Sequence, residues 1–350
     1  MNFYNPQKLF YCGIDLHARN IYICIMNKAR EVLVHRKLGN NSTDLFLKIL
    51  QPYKHDLVVG AETTFAWYWL ADFCADNDID FVLGHALYMK AIHGGKAKND
   101  RIDSKKIALL LQGGMFPLAY VYPKEKRALR DLLRRRLHFV RLRGELFAHV
   151  QIVNYQNNNS PLPRLGNNKS IRDDVPNLFE NETTRKIVES DLDLIKYYDE
   201  FIPKLEWHIF SKTTQLYQKE LAILSSARGM GRIIALTILF EVDSIDRFPS
   251  VQDFASYARV VKCTHESAGK KYGTGGAKIG NPYLKYVFSE AACLMAKYNP
   301  RIKTYLQKME RKHGKGKGKI ILAHKIARAV YYMLKRNTVF DINKFLSIKG

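Results

Sequence analysis

Residues 11–38 read YCGIDLHARNIYICIMNKAREVLVHRKL. Three β-prone runs, 11–16, 21–26 and 32–38, are separated by the short polar turns 17–20 and 27–30, so successive runs are expected to fold back on one another as an antiparallel three-strand meander. Ser42 or Thr43 can cap the helix that follows, whose apolar face comes from Leu45, Phe46, Leu47, Ile49 and Leu50. Residues 57–61 then read as a buried strand, 63–76 as an aromatic-rich helix, 81–83 as another strand and 103–112 as another helix. The order is βββαβαβα.

Three antiparallel strands followed by alternating units is the layout of an RNase H-like sheet, with the first strand central and strand 57–61 beside it. That layout gives four acids a shared meaning. Asp15 ends the first strand among apolar neighbours, where an acid is costly unless something pairs with it. Glu62 closes the second buried strand. Asp100 and Asp103 fall three apart in KNDRIDS, residues 98–104, on one side of a helix entrance. Together they suit Mg²⁺, or Mn²⁺, held by a few carboxylates with water and substrate phosphate as its other ligands. Two such ions can stabilise both the entering and the leaving oxygen of a phosphodiester. The alternative for any single acid is a surface carboxylate or a helix cap, Asp103 as N-cap above all. His17 and His93 lie close by in sequence and read as loop residues rather than ligands.

Charge narrows the partner. The 350 residues hold 56 Lys and Arg against 33 Asp and Glu, a net +23, and from residue 259 onward 21 basic residues face only 4 acidic ones. Such a stretch attracts nucleic acid through phosphate neutralisation and counterion release; its alternative is a solvated cationic surface. With 47% hydrophobic and 25% charged residues the composition is globular, which excludes an unstructured polycation. The five cysteines, Cys12, Cys24, Cys74, Cys263 and Cys293, have no disulfide or zinc spacing. No apolar run reaches the ~20 residues that span a bilayer, and residues 1–11 lack the layout of a secretion signal. The expectation is a cytoplasmic, nucleoid-associated protein of bacterial type with no membrane partner.

Residues 124–154 have apolar positions at helical spacing, interleaved with arginines at 127, 130, 134, 135, 136, 141 and 143. This helix can pack on one side and offer guanidinium groups, Arg134 and Arg135 among them, to phosphate on the other; a merely solvated face is the alternative. An Asn/Pro/Gly linker at 154–168 leads to a second helical region, 184–225, which Pro203 is expected to interrupt and which returns antiparallel to the first. The last part opens on ARGMG, residues 227–231, either a helix-hairpin-helix turn or an ordinary glycine turn, before the apolar helix 233–242. Ser250 and Asp253 form a capping-box-like start. A Gly-rich segment, 267–280, precedes helices 282–298 and 320–335, with HGKGKGK, 313–319, expected as a flexible basic loop between them. Three regions result: an α/β part at 1–123, a helical hairpin at 124–225 and a mostly α part at 226–350.

Gly13-Ile14-Asp15, Gly60-Ala61-Glu62-Thr63 and KNDRIDS resemble the DEDD motifs of the insertion-sequence transposase family numbered one hundred and ten, which includes the Piv-type DNA invertases. Further along, GMG (229–231), IDRF (245–248), FASYA (254–258), HESAG (265–269) and GNPYLK (280–285) are similar, in the same order, to that family's C-terminal transposase domain. The resemblance implies a RuvC-like domain in which Asp15, Glu62, Asp100 and Asp103 hold Mg²⁺, a hairpin that makes a homo-oligomer (dimer or tetramer), and a C-terminal domain whose Ser267 attacks the phosphodiester to give a phosphoserine. It further implies a recombinase acting on double-stranded donor and target DNA, guided by a structured non-coding RNA. Two departures stand out: Glu266-Ser267-Ala268 replaces the family's Gln-Ser-Gly, and Arg228 stands where a proline is usual. Read without the family, Ser267 is a hydroxyl in a Gly-rich loop with no adjacent base. Lys262, Lys270 and Lys271 can neutralise the scissile phosphate or serve, with Lys278, Lys285, Arg134 and Arg135, as general phosphate contacts. Three other functions fit the same residues: a RuvC-like nuclease using only the acids, a Piv-type invertase, and a non-enzymatic nucleic-acid-binding protein.

Overall fold

The computed structural model describes residues 2–92, 99–166, 168–213, 215–261, 266–267, 270–271 and 279–347. The chain divides into two compact units, Met1–Glu125 and Lys126–Gly350.

The first unit is built on a six-stranded mixed sheet of β1 (Phe10–Leu16), β2 (Asn20–Asn27), β3 (Val32–Gly39), β4 (Leu57–Glu62), β5 (Asp80–Gly84) and β6 (Leu118–Ala119), in the order β3-β2-β1-β4-β5-β6. β1, β2 and β3 pair antiparallel, β4 and β5 run parallel to β1, and the two-residue β6 returns antiparallel. The β1 alternation serves two cores. Cys12, Ile14 and Leu16 pack with α1 (Thr43–Leu50) and α2 (Trp67–Asp76), while Tyr11 packs on the opposite face with α4 (Asp100–Gln112). A short α3 (Ala86–Ile92), not foreseen from the sequence, precedes α4. α2 starts four residues later than expected because Thr63 is tied to the sheet: its N–H and its hydroxyl both donate to the carbonyl of Gly84.

Two glycines on paired strands let α4 lie directly on the sheet. Gly13 and Gly60 are register partners in β1 and β4. A Cβ at Gly13 would overlap the Ser104 carbonyl oxygen and the Ala108 nitrogen of α4, and one at Gly60 would fall 2.8 Å from the Leu111 Cδ1. Gly13→Ala is therefore expected to destabilise the first unit by about 3 kcal/mol or more, at or beyond the top of the usual overpacking range because the obstruction is backbone. Chemical denaturation of the purified variant checks this.

The second unit opens on α5 (Lys124–Gln156) and α6 (Glu182–Thr213), two long helices in antiparallel register. Ion pairs His149–Asp191, Arg143–Asp199 and Arg136–Glu206 climb one helix as they descend the other. Apolar contacts follow the same order, Val150 and Val153 against Val188 and Leu192 at one end and Leu133 against Ile209 at the other. This packing carries α6 through Pro203 unbroken, contrary to the expected interruption. The proline removes one main-chain hydrogen bond, and the helix is held to α5 on both sides of that gap.

The remaining helices, α7 (Gln218–Ser225), α8 (Arg232–Val242), α9 (Val251–Tyr257), α10 (Pro282–Tyr298), α11 (Pro300–His313), α12 (Lys315–Arg336) and α13 (Ile342–Ser347), surround one apolar core with Leu322, Ala323, Ile326, Ala327 and Val330 of α12 within it. Ser250 caps α9, its hydroxyl accepting from the Asp253 N–H. The stretch 313–319 is not a loop. α11 ends at His313 and α12 begins at Lys315; a Cβ at Gly318 would meet Glu310 at 2.8 Å, so glycine there permits helix-to-helix approach. Among the described residues no helix is long and apolar enough to cross a membrane.

Candidate metal centre

Asp15 follows Gly13 by two residues on β1, and Glu62 follows Gly60 by two on the neighbouring parallel strand β4. Side chains two apart share a sheet face, so both acids belong to the face on which α4 lies, one step beyond the glycines that admit it. α4 enters there with its own acids. Asn99 is its N-cap, the side chain accepting from the Ile102 N–H at 2.8 Å, which places Asp100 and Asp103 in the first turn, where the helix dipole favours negative charge. Asp103 is thus not the cap.

Among the described residues, Asp15, His17 and Asp100 each offer one ligand atom, all within 4.8 Å of one another. His17 Nε2 lies 3.2 Å from Asp15 Oδ2 and 3.2 Å from Asp100 Oδ1. Asp15 is 17% exposed, His17 and Asp100 about half. Burial pushes the Asp15 carboxyl above the usual carboxylate range; His17 pulls it down and the charges of Asp100 and Asp103 push it up again. Asp103 is therefore close enough to be felt, although its Oδ1 is 3.4 Å from Lys106 Nζ. Half-buried Glu62 and Asp103 lie outside the tight group. The donor set, carboxylate oxygens with one imidazole and several acids repelling one another, fits a hard divalent cation.

His17 is the member that the sequence reading set aside. Its signal was parity: residues 15 and 17 share a strand face, and β1 ends only at Leu16.

The expected phosphate contacts divide. Arg134 is an internal anchor: its Nε and Nη2 donate to Glu241 at 2.5 and 2.8 Å, and its guanidinium stacks on Tyr283 at 4.5 Å. Arg130 Nε and Asn281 Nδ2 also donate to Glu241, at 3.1 and 2.7 Å. Arg135, Lys270 and Lys285 are exposed. Lys262 and Lys278 lie outside the described residues, as do the side chains of Ser267 and Lys271, whose backbones lie in β7 (Glu266–Ser267) and β8 (Lys270–Lys271), an antiparallel pair.

The GNPYLK motif follows this pair. Gly280 has φ +90°, and a Cβ there would come within 2.6 Å of the Tyr257 carbonyl oxygen, so both the backbone conformation and the close approach require glycine. Asn281 caps α10 through the Tyr283 and Leu284 N–H groups while its amide reaches Glu241, and Leu284 is fully buried. The motif locks one end of the Ser267-bearing segment to α5 and α8.

Residues 12–152 match a family model of DEDD transposases of the IS110 group, and residues 221–307 match the Transposase IS116/IS110/IS902 family. The chain belongs to this transposase family. It is accordingly a DNA transposase, and its acids Asp15, Asp100 and Asp103 and its GNPYLK motif lie within the matched stretches. No curated protein matches the chain.

Proposed function

We propose that the first unit of this transposase is an RNase H-like, RuvC-like domain in which Asp15 and Asp100, supported by Asp103 and Glu62, hold Mg²⁺, and that Ser267 of the second unit is the nucleophile of strand exchange. The observation that carries this reading is the convergence of Asp15, His17 and Asp100 at the edge of the α4 face, reached by way of Gly13. The central β1, flanked by antiparallel β2 and parallel β4, supports the domain assignment. When bound, the metal supplies Lewis-acid stabilisation of charge on the phosphodiester. The Ser267 oxygen attacks phosphorus as the bond to the leaving strand oxygen breaks. The serine proton passes to a carboxylate, the leaving oxygen takes up a proton, and the protein remains joined to DNA as a phosphoserine ester. Attack by the freed strand of another duplex reverses these steps and releases the serine.

Exposed Lys270 and Lys285, in a C-terminal stretch of dense positive charge, support contacts to DNA phosphates. The same charge suits a structured guide RNA, which the family likeness supplies, and the α5–α6 hairpin is the element proposed for assembly into a homo-oligomer. Ser267→Ala is the deciding experiment. Loss of both strand exchange and covalent protein–DNA product, with DNA binding retained, is expected on denaturing gels. Continued cutting by the variant would favour a second reading, a nuclease working with the acids alone, which has in its support that the whole acidic group lies within the first unit.

A further inference from the structure

A cavity of about 280 Å³ opens among the C-terminal helices of the second unit. One face of α12 forms its wall, since Lys325, Arg328, Tyr332 and Arg336 recur at intervals of three and four. Across it lies α13 with Lys344 and Phe345. Four cations, Lys325, Arg328, Arg336 and Lys344, share the lining with the aromatic rings of Tyr332, Phe340 and Phe345. Lys325, only 7% exposed, holds its Nζ 4.9 Å from the Tyr305 ring and 5.6 Å from that of Phe345; the Arg336 guanidinium lies 4.7 Å over Tyr332. The one carboxylate in the lining, Asp341, already accepts from the Asn343 and Lys344 N–H groups at the start of α13.

Positive charge around π-faces selects a ligand that is planar and anionic together. A nucleotide has both properties: its base stacks on aromatic rings and its phosphate meets guanidinium and ammonium groups. The volume is at the lower limit of small-molecule sites, about 300 Å³, so the cavity suits one nucleotide rather than two. A base paired within a duplex cannot enter; one taken out of the stack can. We propose that this cavity receives a single unpaired nucleotide of the DNA substrate, the base against Tyr332 and its apolar neighbours and the phosphate against Arg328, Arg336 and Lys344. Such a pocket would hold DNA at a strand junction, where pairing is interrupted.

The test uses the full-length protein and fluorescence anisotropy with two DNA duplexes that differ only by one bulged thymidine. The wild type is expected to prefer the bulged duplex by about 5- to 150-fold, the range that stacking of one base provides. Thr338→Trp fills the cavity from its exposed rim without removing a charge, and is expected to reduce the preference to near unity. Arg328→Gln, a second variant with no added bulk, is expected to reduce it as well, and far-UV circular dichroism confirms folding of both. Equal affinity of the wild type for the two duplexes would overturn the proposal. So would a preference that survives both substitutions, or one shown for a bulged RNA and not for DNA.

Discussion

Asparagine in place of Asp100 is expected to lower the rate of strand cleavage at least about a hundredfold, since even the residues that merely orient metal ligands are worth 10- to 100-fold, while DNA binding survives. Asp100 lies half-exposed, its Oδ1 3.2 Å from His17 Nε2, so its loss removes a donor without opening a buried cavity. Asp15→Asn should be equally inactive but carry a second signature. Burial first, and the repulsion of Asp100 and Asp103 after it, raise the Asp15 pKa in spite of His17. A carboxyl whose folded pKa is raised contributes stability below its unfolded pKa and loses that contribution as pH rises through the folded value. At neutral pH the ionised Asp15 therefore opposes folding, and Asp15→Asn should melt at a higher temperature than the wild type without divalent ions. The gain should fade as pH falls to about 4, the ordinary carboxyl range. Added Mg²⁺ should stabilise the wild type and leave Asp15→Asn unmoved. A thermal melt of both proteins, with and without Mg²⁺, reads all of this. Equal stabilisation of the two would remove Asp15 from the metal centre.

Much of the first unit was legible because its information is local. The alternation in residues 11–16 and 21–26 and the polar turns between them give three strands with nearly the observed limits. The Gly-x-acid pattern, present in Gly13-Ile14-Asp15 and again in Gly60-Ala61-Glu62, carries the site, but its meaning emerges only when β1 and β4 pair glycine against glycine. The period-2 spacing from Asp15 pointed to His17, but His17 lies one residue past the end of β1, where the polar turn made it read as a loop residue. The α5 arginines were legible as helical, but the partner of Arg134 was not. Whether a guanidinium faces phosphate or carboxylate depends on partners such as Glu241, 107 residues from Arg134, and no local pattern encodes that pairing. The glycines of 313–319 suggested a loop because glycine is poor in helices, whereas Gly318 serves the contact of α12 with Glu310 in α11. In each case the missed property belongs to the neighbour rather than to the segment.

Glu241 shows how much depends on such a distant partner. The residue is 1% exposed, and its two oxygens receive Arg134, Arg130 and Asn281, joining α5, α8 and the cap of α10. Glu241→Ala would leave buried Arg130 and half-buried Arg134 facing each other without their shared anion, a change that typically costs about 3–5 kcal/mol. The loss should fall on the second unit, and a calorimetric scan should show its unfolding moved to lower temperature while that of the first unit stays in place. Glu241→Gln, which keeps an acceptor for Asn281 and removes the charge, should lie between the two. Burial alone would raise the Glu241 pKa, but the Arg134 hydrogen bond, the charges of Arg130 and Arg134, and the Asn281 amide outweigh it and hold the pKa below the ordinary value. A carboxyl of this kind contributes stability above its unfolded pKa and loses it as pH falls through the folded one. The gap between wild type and Glu241→Ala should therefore be widest at neutral pH and narrow in acid, the reverse of the Asp15 variant, whose advantage over the wild type also fades in acid but has the opposite sign. Because Asn281 fixes one end of the Ser267-bearing segment and loses its Glu241 acceptor in Glu241→Ala, that variant should also slow covalent attachment to DNA by more than its stability loss explains, when assayed well below its melting temperature. Unchanged attachment there would mean that the Glu241 cluster supports the fold of the second unit and nothing in its chemistry.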